Sequence, residues 1–156
     1  MTSKMLDAYV NDIGLFLREE AWDEAEQRAT GLPHIAVALG NPELASSQAA
    51  YRTWCREWVR PEPNDAVTDT WFAVSTQKPF QFVEGKPFAV LQALSLSRRL
   101  RASAPPPPRV YPTTPRGTSV TQTCNVLISA FQAWHNNRGR ADATVALNLG
   151  KLGVLR

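Results

Sequence analysis

The chain has 156 residues, 44% of them apolar and 20% charged. That is enough to bury a substantial core without disulfide staples, and it excludes a largely disordered polymer. Residues 1–77 hold six Lys/Arg and twelve Asp/Glu, a balance of −6, whereas residues 78–156 hold eleven and two, a balance of +9. A basic half of this kind suits an anionic partner such as a nucleic-acid backbone. It equally suits attraction between the two halves, within the fold or across an oligomer. The first residues lack the apolar run and cleavage pattern of a secretory signal, and no stretch of about 18 apolar residues occurs, so the expectation is a cytoplasmic protein without a membrane span.

In chain order, residues 5–28 show a helical apolar period through Leu6, Tyr9, Val10, Ile13, Phe16 and Leu17, resuming at Ala21, Trp22 and Ala25. Gly31 is the expected stop. The acidic run Glu19, Glu20, Asp23, Glu24 and Glu26 fits a solvated helix face rather than an acid/base pair. Residues 32–40 predict a short buried helix with Pro33 in its first turn, Gly40 at its end and His34 as a packed or capping side chain.

Asn41-Pro42 predicts the start of a helix running to about Val59. Its stripe Tyr51, Trp54, Cys55 and Trp58 reads as core, with Trp54 and Trp58 the candidates for a partner-docking surface. Arg52, Arg56 and Arg60 are expected to meet the acidic face of the first helix. Residues 66–83 look extended, with Val67–Ser75 and Phe80–Val83 as the strands of a small β-hairpin. Residues 88–102 predict a helix ending in Arg98, Arg99 and Arg101, which complement the helix dipole or contact phosphate. Residues 103–118, with four consecutive prolines at 105–108, predict a stiff linker.

The C-terminal residues 119–156 predict a helical hairpin. A helix from about 120 to 137, capped by Ser119 or Thr121, carries Val120, Cys124, Leu127, Ile128, Phe131 and Trp134 on one face; Gly139 breaks it and Asp142 caps a second helix. Leu127-x-x-Ala130-Phe131-x-x-Trp134, Gly139 and Leu149-x-x-x-Gly153-Val154 resemble the winged-helix tail of phage and plasmid primases. The resemblance covers about a fifth of the chain, and the chain stops at Arg156, where the wing of that family would begin. It implies that residues 142–152 face DNA, with Asn148 and Lys151 as contacts and Arg138, Arg140 and Arg156 flanking on the backbone. The alternative is a hairpin packed on the body of the protein.

No phosphate-binding Gly-rich loop, nucleophile elbow or metal-ligand spacing occurs, and His34, His135, Cys55 and Cys124 are scattered. These features predict a mainly α protein of five or six helices with one small β-hairpin. Its organisation is a body over 1–102, a linker over 103–118 and a helix-turn-helix-like module over 119–156. The expected function is non-catalytic and regulatory, without cofactor or metal. Nucleic acid is the expected partner, through Arg98, Arg99, Arg101, Arg138, Arg140, Asn148, Lys151 and Arg156. A protein adaptor or oligomer docking through its Trp-rich helix is the alternative. An enzyme with a convergent site around His34 or Arg98–Arg101 is the third and weakest reading.

Overall fold

The computed structural model describes residues 3–76 and 114–154. Helices α1 (Ser3–Arg18), α2 (Trp22–Thr30), α3 (Leu32–Leu39), α4 (Gln48–Trp58) and α5 (Asp65–Ser75) are followed by α6 (Pro115–Asn137), a 3-10 turn (Gly139–Ala141) and α7 (Ala143–Val154). The fold is mainly α, and no strand occurs among the described residues.

The helix expected over 5–28 is two helices. The chain reverses between them at Glu20, whose φ of 56° lies in the left-handed region, and the Ala21 amide bonds back to the Phe16 carbonyl at 2.9 Å. Gly31 closes α2 and opens α3. Carbonyls at the end of α2 are satisfied from other helices: the Tyr9 hydroxyl donates to Arg28 O at 2.7 Å and the Tyr51 hydroxyl to Thr30 O at 2.6 Å.

Asn41 does not cap α4. Its Oδ1 accepts from the Glu43 amide in a local turn, and α4 starts later, where Ser47 Oγ accepts from the Ala50 amide. Asparagine serves a turn and a helix cap by the same chemistry, and here the turn prevails.

The segment expected as the first hairpin strand is helix α5. Asn64 Oδ1 caps it by accepting from the Val67 amide at 2.9 Å, and Thr68 and Ser75 face inward with Trp71 and Phe72 beside them. The cap and this three-and-four spacing outweigh the β-branched and aromatic content. The second expected strand, the helix over 88–102 and most of the linker lie outside the described residues.

Helices α4 and α5 run antiparallel, tied by Arg52 to Asp69 and Arg56 to Asp65, each at 2.7 Å. Hydrogen bonds from Arg52 hold the Asp69 carboxyl below its ordinary range. The expectation that this arginine stripe meets the first helix is therefore overturned; Arg60 turns back to the Arg56 and Val59 carbonyls. Once residues 65–75 are helical, Asp65 and Asp69 share one face and match arginines spaced likewise.

Helix α6 starts inside the expected linker, with Thr114 Oγ1 accepting from the Gly117 amide and Pro115 in the first turn. Its face Val120, Cys124, Leu127, Ala130, Phe131 and Trp134 joins the same core cluster as the buried residues of α1–α4. The boundary placed at 119 thus cuts through a helix and separates no core of its own. Cys124 Sγ donates to the Ala25 carbonyl at 3.6 Å. Cys124 and Cys55 are both free, and burial pushes each thiol up to about 12.

Gly117 permits the closest approach in this packing, because a Cβ there would lie 2.6 Å from Trp22 Cζ2. Gly117→Ala gains helix propensity of about 0.5–1 kcal/mol but forces an indole aside, at a cost of about 1–3 kcal/mol. A net loss of stability is the expected outcome of urea denaturation.

Candidate functional site

The helix expected after Gly139 is α7, but it packs against α3 and the 3-10 turn rather than along α6, so the expected hairpin is not formed as a packed pair of helices. Asp142 Oδ1 caps α7 by accepting from the Thr144 and Val145 amides. Gly139 is needed against Trp134, whose ring would lie 3.0 Å from an added Cβ. The spacing between these two residues therefore has a packing cause.

The structure separates the proposed contact residues by role. Asn148 is fully buried, and its amide donates to Leu39 O at 2.9 Å and Asn41 O at 2.7 Å. It ties α7 to the end of α3 and is withdrawn from any outward contact. Arg138 forks onto the Glu57 carboxylate at 2.8 and 3.2 Å and lies 5.2 Å over the Trp58 ring. Arg116 pairs with Asp23 and approaches Glu26 at 3.9 Å. These two arginines are matched by carboxylates of the acidic half. Arg140 and Lys151 are exposed. Arg98, Arg99, Arg101 and Arg156 lie outside the described residues.

The tryptophans proposed for docking turn inward as well. Trp54 is 6% exposed within the core and Trp58 is half-buried beneath Arg138. The outward face of α7 presents Ala143, Ala146, Leu147, Gly150 and Lys151, with Thr144 half-buried. Among its described side chains, Lys151 is the one cation.

His34 lies in a closed polar clamp. Its Nδ1 is 2.8 Å from Ser46 Oγ and its Nε2 3.0 Å from Ser75 Oγ, with the Tyr51 and Phe72 rings at 4.6 and 5.0 Å. Ser75 donates its own proton to Phe72 O at 2.7 Å. The network therefore fits a neutral ring with Nε2–H donating to Ser75 and Nδ1 accepting from Ser46. Burial pushes the imidazole down to about 3. The ring joins α3, the segment before α4 and the end of α5, and its enclosure makes it a structural side chain.

A cleft of about 250 Å³ opens between the start of α1 and the end of α6. Leu6 and Val10 of α1 and Phe131 of α6 supply its apolar lining. Asp7 stands on the α1 wall; Gln132, His135, Asn136 and Arg140 stand opposite. Arg140 Nη2 donates to Asn136 Oδ1 at 3.4 Å. Burial, then the Arg140 charge, hold the His135 imidazole below its ordinary 6.5, with Asp7 opposing them. Neither Asp7 nor His135 was singled out for this cleft in the sequence. A signal existed in the donor-rich run Gln132, His135, Asn136, Asn137, Arg138 and Arg140, but its opposite wall lies at the far end of the chain. Among the described residues no cluster of three or more His, Cys, Asp or Glu is placed to hold a metal, and no helix is long and apolar enough to cross a membrane.

No family model, curated protein or solved structure matches the chain.

Proposed function

We infer that the protein is a non-catalytic binding protein that contacts a nucleic acid through its basic C-terminal half. The observation that carries this reading is how the described charges pair. The acidic half spends Asp12, Asp65 and Asp69 on its own arginines. Of the described cations in the basic half, Arg116 and Arg138 are compensated, while Arg140 and Lys151 remain outward without a carboxylate within 4.0 Å among the described residues. With so few donors on the described outward face of α7, the contact is to phosphate rather than to base edges, and it discriminates poorly between sequences. The resemblance to primase tails supports the position of this surface at the α6–α7 turn.

Fluorescence anisotropy with duplex DNA between about 50 and 200 mM salt tests the reading. Affinity should fall with salt, and replacing both Arg140 and Lys151 by Ala should lower the logarithmic slope by about two. Absence of binding at the lower salt, or an unchanged slope in the double variant, refutes it.

A second reading, association with another copy of the chain, draws on Leu147, which is 60% exposed between Ala143, Ala146 and Gly150. Small residues around one large side chain let two helices approach closely. Light scattering showing a monomer at all salt concentrations removes it.

A further inference from the structure

The cleft between α1 and the end of α6 holds two opposite charges that the fold keeps apart. Asp7 projects from one wall and Arg140 from the other, and neither has an ion-pair partner within 4.0 Å among the described residues, including each other. His135 lies between them electrostatically, responding to both, and is neutral at pH 7. The formal charges of these cleft residues therefore sum to zero, but they are separated across the opening. A simple anion gains from Arg140 and is repelled by Asp7; a simple cation meets the reverse. A molecule carrying both charges satisfies both walls. At about 250 Å³ the space is smaller than the roughly 300–1,000 Å³ of sites for drug-sized ligands, so the occupant is small. Leu6 and Phe131, each 3% exposed, close its floor, and half-buried Val10 borders it, so most of the surface it offers is polar.

The geometry points to a small zwitterion, a free α-amino acid, as the ligand of this cleft. Its ammonium faces Asp7, and its carboxylate faces Arg140 and an N–H of His135. Asn136 steadies the guanidinium through the 3.4 Å contact. This site shares Arg140 with the nucleic-acid surface but does not depend on that reading.

Calorimetric titration of the full chain with L-leucine, N-acetyl-L-leucine and L-leucinamide tests the assignment. Leucine should bind saturably. Each analogue lacks one charge and should bind roughly tenfold or more weakly, as expected for loss of one charge-assisted interaction. Asp7→Asn and Arg140→Gln are exposed substitutions and should weaken leucine by a similar factor. Asp7→Asn should leave DNA affinity undiminished, whereas Lys151→Ala should weaken DNA and leave leucine unaffected, so the two proposals fail separately. Absence of saturable binding of leucine overturns the assignment. So does equal binding of leucine and either analogue, which would reveal a site for one charge alone.

Discussion

Replacing Asp12 by Leu is expected to lower the unfolding free energy by about 3–5 kcal/mol. Its partner Arg28 is 2% exposed, with one guanidinium nitrogen 3.7 Å from the Asp12 carboxylate. The guanidinium lies 5.3 Å from the centres of both the Tyr9 and Phe16 rings. Burial lowers its pKa, and Tyr9 and Asp12 act against that effect. The surrounding rings contribute attraction to a cation, but they do not replace a counter-charge. Without Asp12 the buried guanidinium loses the carboxylate described beside it, and its charge is less well offset in the core. Removing both charges, with Asp12→Leu and Arg28→Met, should recover much of the loss because an apolar side chain suits the Tyr9 and Phe16 faces. Urea denaturation of both variants distinguishes the cases. A single variant within about 1 kcal/mol of the parent would show that Asp12 does not support the buried arginine.

Acidification should weaken the fold through His34. In the unfolded chain the imidazole takes a proton below about 6.5. In the folded chain it does so only near 3, because the ring is enclosed. Between those values the proton favours the unfolded state. The contribution of His34 is therefore intact above pH 6.5 and declines as pH falls toward 3. At about 1.4 kcal/mol per pKa unit the full window amounts to as much as roughly 5 kcal/mol, of which about 2 kcal/mol is lost by pH 5. Most carboxylates are still ionised over the pH 6.5–5 interval, which isolates the histidines. His135 shifts in the same direction but is more exposed, so comparison with His34→Gln assigns the difference. The slope of stability against pH over that interval should flatten in the variant; an equal slope would place the titration elsewhere.

The helical character of the chain was legible where apolar period and punctuation agree, as at Gly31, Gly40 and Asp142. It was obscured where one residue type serves two structures. Val67, Thr68, Thr70, Trp71 and Phe72 favour strands locally, yet a cap at Asn64 and two aspartates spaced for the α4 arginines make a helix the better-satisfied state. The reversal at Glu20 left no mark because the apolar period continues across it. Thr114-Pro115 is a helix start hidden in proline-rich sequence. For the site, the basic character of the second half was visible, but the partners of individual cations were not. Arg116 and Arg138 meet carboxylates far away in the chain, Asn148 meets carbonyls at and just after the end of α3, and Asp7 shares a cleft with His135 from near the opposite end of the chain. Arg28 carries no sequence signal of burial, and only tertiary packing places it against Asp12.

Helix α6 belongs to the last third of the polypeptide, yet Val120, Leu127, Phe131 and Trp134 complete the core begun by α1–α4. During synthesis the early helices must therefore wait for their cover until the ribosome has moved far beyond them. A stalled chain ending before Pro115 presents greasy, unsealed helix faces to its surroundings, and such a fragment is material for holdase chaperones and proteases. Assembly is consequently a late event on the translation clock, completed when the final third emerges.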